Sequence, residues 1–391
     1  MQIAERAKLI PPSETLAIAA TAKRLRAQGI DVCDFSVGEP DFVTPSPMRE
    51  AAKAALDRGE TKYSPVAGLP ELREAVAAKL SRENALSYQP NQVLITTGGK
   101  QALFNTMLAL LNPGDEVLIP APYWVTYPEI ARIAGAMPVF LPTEAETGFK
   151  LTPEQLEGSI TPRTRLLILN SPCNPTGTVY SREELLVLAR VIVARQLPVI
   201  SDEIYEKLIY DHLSHSSLGS LDNDILGLTI TCNGFSKAYA ATGWRLGYVA
   251  GPETLIRAAT AIQSHSTSGP NTFAQYGALA ALTGGQAEIE AMRRIFEHRR
   301  NLMADGVSAI PGLSCARPQG AFYVFPSIAE LGVDSTAFCQ RLLEEEHVAA
   351  VPGKAFGADA HIRLSYATDS STIEKGLERI GRFVSSLRGL V

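Results

Sequence analysis

Leu228-Thr-Ile-Thr-Cys-Asn-Gly-Phe-Ser-Lys-Ala-Tyr-Ala-Ala-Thr-Gly-Trp-Arg-Leu-Gly247 runs from an apolar strand into a loop broken by glycines. Its lysine, Lys237, stands just past the strand end. An ammonium group is costly to bury there without a partner. Desolvation and neighbouring cations lower a lysine pKa and free the amine to attack a carbonyl. Arg245, eight residues on and past the Thr-Gly break, can supply both that positive field and an anion contact. An amine nucleophile beside a phosphate-binding arginine points to a Schiff base with a phosphorylated aldehyde, pyridoxal phosphate. From this segment alone, a surface lysine at a strand end reads equally well.

Outward from this stretch, strand-like runs alternate with helix-like ones. Strands are expected at 93–97, 116–120, 138–141, 165–170, 198–201, 228–232 and 247–250, with helices at 101–111, 127–134 and 183–195 among them. Near-continuous apolar strands with intervening helices imply an α/β fold whose mostly parallel, seven-stranded sheet is covered on both faces. After residue 286 the texture changes. A long charged helix (286–307), a short aromatic strand (322–325), a helix (335–346), a strand (361–366) and a closing helix (371–387) imply a smaller α+β domain. The opening segment, with a helix at 14–28, is expected to join it. The expected division is therefore 46–283 for the large domain and 1–45 with 284–391 for the small one. The proline-rich stretches 41–47 and 63–70 read as ordered loops.

The totals exclude several classes. The chain has 391 residues, 46 % hydrophobic and 20 % charged, as in an ordinary globular protein. Its 36 basic and 41 acidic residues leave a charge of -5, with no basic patch for nucleic acid. No run approaches ~18 uninterrupted apolar residues, so no membrane span is expected. The first residues carry mixed charge and no signal-like core. Five scattered cysteines form no Cys-x-x-Cys pair, and the histidines show no ligand spacing, so no metal site is expected. A reducing cytoplasm fits best.

Several constellations carry chemistry. Thr96-Thr-Gly-Gly-Lys-Gln101 falls where a strand hands over to a helix, a place suited to phosphate, and Gly98 and Gly99 let an anion approach the backbone. A plain glycine turn is the alternative, but Lys100 at a helix start implies nearby negative charge. Asp202 ends the apolar run of Pro198-Val-Ile-Ser-Asp-Glu-Ile-Tyr205, at the sheet edge where open α/β folds bind ligands. A pyridinium N–H would partner it, and Tyr205 could bond the ring hydroxyl; a solvated acid or helix cap is the plainer reading. In Asn170-Ser-Pro-Cys-Asn-Pro-Thr-Gly177, Asn174 sits in a stiff turn, either as a donor to a ligand or as a structural residue. Trp124 could stack on a flat ring or belong to the core. Arg363, in His361-Ile-Arg-Leu-Ser-Tyr366, alternates with apolar residues and could grip a carboxylate through two parallel bonds or lie on the surface.

Together these pieces resemble the fold type I, class I aminotransferases that use pyridoxal phosphate, within them the aspartate aminotransferase-like branch. The likeness runs from Val37-Gly-Glu-Pro-Asp-Phe42 through Lys62-Tyr-Ser and each motif above to Arg363. It implies that Lys237 carries the cofactor as a Schiff base and later moves the substrate proton. Asp202 would pair with the pyridine nitrogen, Asn174 and Tyr205 with the phenolate oxygen, and Trp124 would stack on the ring. Gly98, Gly99, Lys100, Ser236 and Arg245 would surround the phosphate. Tyr63 would reach the phosphate of a neighbouring subunit, which implies a homodimer. Arg363, Asn174 and the Gly38 backbone would hold the substrate α-carboxylate. One departure is Gly234, where many members carry a phosphate-binding Ser or Thr.

Members with Gly-Gly-Lys-Gln and an early Pro-Ser-x-Thr resemble aspartate aminotransferases, and Lys100, Ser13 and Thr15 match that pattern. The implied reaction exchanges an amino group between aspartate and 2-oxoglutarate by a ping-pong route. Prephenate or aromatic amino acids, a β-lyase on the same fold, and a non-catalytic regulator module remain the alternatives.

Overall fold

The computed structural model describes residues 1–11 and 14–389, with the side chains of all of these except residues 5, 6 and 14–16. Ser13 and the Thr15 side chain therefore lie outside what is described. Strand β1 (Cys33–Asp34) opens the chain's strand order. Seven further strands follow: β2 (Val93–Thr96), β3 (Glu116–Ala121), β4 (Met137–Pro142), β5 (Thr164–Asn170), β6 (Val199–Asp202), β7 (Thr229–Gly234) and β8 (Gly247–Ala250). They form one sheet in the order β2-β8-β7-β6-β5-β3-β4. Only β8 runs against its neighbours, so the sheet is mostly parallel, as expected from the sequence.

Strands β2, β6, β7 and β8 are buried along their whole length because helices cover both faces. Val93 and Ile95 of β2 pack with Leu72, Val76 and Ala278 on one face, while Leu94 meets Leu103, Met107 and Ile256 on the other. Both β2 and β4 are edge strands, but only β4 is open to solvent, with Met137 and Phe140 exposed. An edge position also tolerates Pro138 and Pro142, which lack an N–H to donate. The helix Arg182–Ala194 shows how local sequence sets an element. Ser181 and Glu184 cap its start reciprocally, and Leu185, Leu188, Ala189 and Ile192 form its single buried stripe.

Two helices sit where the proline-rich stretches end. Ser46–Asp57 and Pro70–Asn84 each begin with a proline in the first turn, where the missing N–H costs nothing. The loops are thus real, but 46–47 and 70 already belong to helices.

The C-terminal strands are β9 (Tyr323–Val324), β10 (Val348–Ala349), β11 (Val351–Pro352) and β12 (Ile362–Ser365). Strands β11, β12 and β9 form an antiparallel sheet, and β1 pairs parallel with β10. Cys33 and Phe35 share one apolar cluster with Phe296, Phe322, Leu364 and Phe383. Tyr205, Leu208 and Tyr210, which follow β6, enter the same cluster, so this core also reaches the large sheet.

A buried polar network pins the helix Pro70–Asn84 to the loop after β6. Lys79 forms an ion pair with Glu206, and Asn84 donates to both Glu206 (2.7 Å) and Glu203 (3.2 Å). Glu203 also accepts from Ser201 (2.9 Å) and Ser217 (2.6 Å) and meets His215 Nε2 at 2.8 Å. Glu203, Glu206 and His215 have metal-ligand spacing, but every carboxylate oxygen among them already accepts a hydrogen bond.

Burial raises the Glu206 pKa, but Lys79, His215 and Asn84 outweigh it and hold the group down at about 2. Glu206 therefore adds stability that is complete above pH ~4.5 and is lost as pH falls towards 2. Lys79→Met should cost about 3–5 kcal/mol in urea unfolding at pH 7, because it strands a buried carboxylate. Lys79→Met/Glu206→Leu should regain more than half of that loss and flatten the acid limb below pH 4.5.

Candidate active site

Parallel strands deliver their C-terminal ends to one edge. The register aligns Asn170, Asp202 and Cys232 across β5, β6 and β7. It also sets Thr96 of β2 and Gly234 of β7 opposite Gly247 of β8. At this edge a cleft of about 1160 Å³ opens between the sheet and the C-terminal strands.

One end of the cleft is built for an anion. The helix Gly99–Leu110 starts there with no side-chain cap, so its N–H groups and positive dipole face the opening. Gly98 makes the turn with φ +82°, and a Cβ on it would lie 2.5 Å from Arg245 Nη2. Arg245 donates to Thr242 O at 2.9 Å, and Lys100 lies 5.1 Å over the Trp124 ring. Neither cation has a carboxylate partner among the described residues. Ser236 lines the same end.

Gly234 also has a physical reason. A Cβ there would stand 3.0 Å from both Gly247 Cα and Leu246 O, so the backbone leading into β8 leaves little room for a serine or threonine.

The middle of the cleft holds a buried acid and a half-buried amine. Asp202 accepts from Tyr127 Oη at 2.7 Å and from the Ile204 N–H at 3.2 Å. Burial pushes its pKa up to about 6 against those hydrogen bonds. Lys237 donates to the Gly38 carbonyl oxygen. Burial brings its pKa down to about 8; Glu39 opposes the shift, and Arg363, Arg245 and Lys100 assist it. The Tyr205 hydroxyl lies 2.9 Å from that of Tyr323.

At the far wall, Arg363 is buried with no carboxylate partner among the described residues. It donates to Asn174 Oδ1 at 3.0 Å and to Ser36 O at 2.8 Å, and its Nε has no partner. Its guanidinium lies over the rings of Tyr323 (4.4 Å) and Phe356 (5.1 Å). A buried cation of this kind is stabilised most by a bidentate carboxylate.

The cleft thus gathers all but four of the residues singled out in the sequence. Gly98 stands behind it, against Arg245. Tyr63 is 96 % exposed and does not line this protomer's cleft. Ser13 and the side chain of Thr15 are not described. The sequence reading missed Tyr127, Tyr323 and Ser36. Only Tyr323 left a trace, as part of an aromatic strand.

The family described as aminotransferase class I and II matches residues 30–380. An aspartate aminotransferase of Geobacillus stearothermophilus is 46 % identical over 391 residues, covering 99 % of this chain and 100 % of the relative. An aspartate/prephenate aminotransferase of Cereibacter sphaeroides is 47 % identical, with 97 % of each chain covered. The solved aspartate aminotransferase of Thermus thermophilus with maleate superposes with a TM-score of 0.95 at 46 % identity, covering 98 % of this chain and 100 % of that one. This chain belongs to the class I and II aminotransferase family.

Proposed function

We propose that the chain is a pyridoxal phosphate-dependent aminotransferase exchanging an amino group between aspartate and 2-oxoglutarate. The observation that carries this reading is a cleft in which three charged regions each lack an ion-pair partner among the described residues. The uncapped helix start with Arg245 lacks an anion. Asp202 is buried with hydrogen bonds from Tyr127 and Ile204 but no cation in contact with it. Arg363 is buried without a carboxylate. Phosphate, pyridine N–H and substrate α-carboxylate supply the three missing groups, and the cofactor's residues fit on that ground.

When bound, pyridoxal phosphate supplies an aldehyde carbon for an amine and a ring that draws electrons from the substrate Cα–H bond. The chain's own groups do the rest. Gly98, Gly99, Lys100, Ser236 and Arg245 would hold the phosphate. Asp202, which accepts from Tyr127, would pair with the ring nitrogen and favour its protonated form. Trp124 offers an aromatic face, and Asn174 and Tyr205 would bond the ring hydroxyl. Arg363, with Asn174 and the Gly38 backbone, fixes the α-carboxylate. Lys237 would hold the aldehyde carbon at rest. Its free amine would serve as the base for the substrate Cα proton, and burial, which brings its pKa down to about 8, leaves an appreciable neutral fraction for that work.

Aspartate is favoured because Lys100 is a cation in the cleft with no carboxylate partner, suited to a second carboxylate; Ser13 and Thr15 would join it. The related enzyme solved with maleate, a dicarboxylate, agrees with this. A single distal cation would also accept prephenate, the second activity in the name of the Cereibacter relative. The reading includes the division into 46–283 and 1–45 with 284–391, a reducing cytoplasm, and a homodimer in which Tyr63 of one protomer reaches the other's phosphate. No helix among the described residues is long and apolar enough to cross a membrane.

Lys237→Ala should abolish transamination while still binding the cofactor. Borohydride should fix the cofactor to the wild-type chain and leave the variant unlabelled in mass spectrometry; normal turnover would refute the assignment. Lys100→Ala should raise the KM for aspartate about 10- to 100-fold more than the KM for alanine, as expected for one charge-assisted bond to the side-chain carboxylate. Equal effects on both would remove Lys100 from side-chain recognition. A donor panel run with 2-oxoglutarate and with prephenate as acceptors separates the two substrate readings.

A further inference from the structure

Tyr63 stands in solvent, yet the loop that carries it is held from beneath by buried amides. Gln275, in the first turn of the helix Thr272–Thr283, donates to Ser64 Oγ at 3.0 Å and to Pro270 O at 2.9 Å, and accepts from the Leu69 N–H at 2.8 Å. Gln263, near the end of the helix Glu253–Ser264, donates to Val66 O at 2.8 Å and Ile95 O at 2.9 Å. Thr272 Oγ1 donates to Lys62 O at 2.6 Å. The chain is gripped at 62, 64, 66 and 69, on both sides of the exposed phenol. Both glutamines are fully buried.

A buried amide left unpaired costs about 1–3 kcal/mol, so leucine or methionine would fill these positions with less desolvation if packing were all that mattered. The amides instead use both N–H donors and the oxygen. The Gln263 oxygen accepts from Asn105 at 2.8 Å, and Asn105 accepts from Gln101 at 2.7 Å. This polar chain ends one residue after Lys100, beside the uncapped helix start. It thereby joins the protomer's own anion cradle to the loop that presents Tyr63.

We infer that Gln263 and Gln275 are positioning residues for Tyr63. They set the direction in which the phenol leaves the protomer, and so the strength with which it holds the phosphate in the partner's cleft. The inference rests on the cofactor and dimer reading above and deepens it.

The test titrates cofactor-free protein with pyridoxal phosphate and, separately, with pyridoxal, which has no phosphate. Tyr63→Phe and Gln275→Met should each weaken pyridoxal phosphate binding about tenfold or more, the worth of one hydrogen bond to a charged group, and pyridoxal binding less than about twofold. The double variant should bind no worse than about twofold below the weaker single. Gln275→Met that binds like wild type, weakens both ligands alike, or multiplies the loss of Tyr63→Phe overturns the inference and leaves the cofactor reading standing. If Tyr63→Phe loses nothing, the partner role of Tyr63 falls and the inference with it. If wild type takes up no pyridoxal phosphate, the cofactor reading itself fails. Should Gln275→Met not fold, Ser64→Ala removes one hydrogen bond of the grip and is judged by the same criteria.

Discussion

Everything at the cleft depends on strands that end together. Parallel pairing in register brings Asn170, Asp202 and Cys232 to one line, and β8, running the other way, starts where they stop. Loops leaving that line carry Lys237 and Arg245, and the loop after β2 carries Gly98 into the helix start. Side chains distant in sequence thus meet without any of their loops having to be long. The cost of this gathering is electrostatic. Arg363, Arg245, Lys100 and Lys237 share one cleft, and each of the first three lowers the pKa of the amine. Contacts with aromatic rings and with carbonyl oxygens partly offset that repulsion.

Much of the sheet was legible because its strands are short, nearly unbroken apolar runs. Strand β8 was read to the residue, and the others to within two. The helices Ser46–Asp57 and Pro70–Asn84 were not read, because proline marks both a turn and a helix start, and only the following buried positions distinguish the two. Lys237, Asp202 and Arg363 were legible as charged residues in apolar surroundings. Gly98 and Gly99 were legible as a turn between strand and helix.

What stayed hidden depended on contacts between distant elements. Tyr127 reads as an ordinary helix residue, yet its hydroxyl meets Asp202 across 75 positions. Ser36 acts on Arg363 through its carbonyl, which has no sequence signature at all. Lys79 and Glu206 are a charged helix residue and a charged loop residue in the sequence; only the fold reveals that they pair with both side chains largely shielded from water. The absence of Ser or Thr at 234 looked like a missing contact. The strand spacing instead makes it a close fit, because Gly247 Cα and Leu246 O would each stand 3.0 Å from a Cβ at 234.

The main chain is tightest at Gly247, where a Cβ would stand 2.5 Å from Gly98 C and closer still to Gly99 N. Strand β8 and the start of the helix Gly99–Leu110 therefore meet backbone to backbone, and a side chain at 247 would have to push them apart. Substitutions that reshape this end of the cleft would find more room in the loops at 236 and 242–245, so this scaffold would diversify from its margins inward.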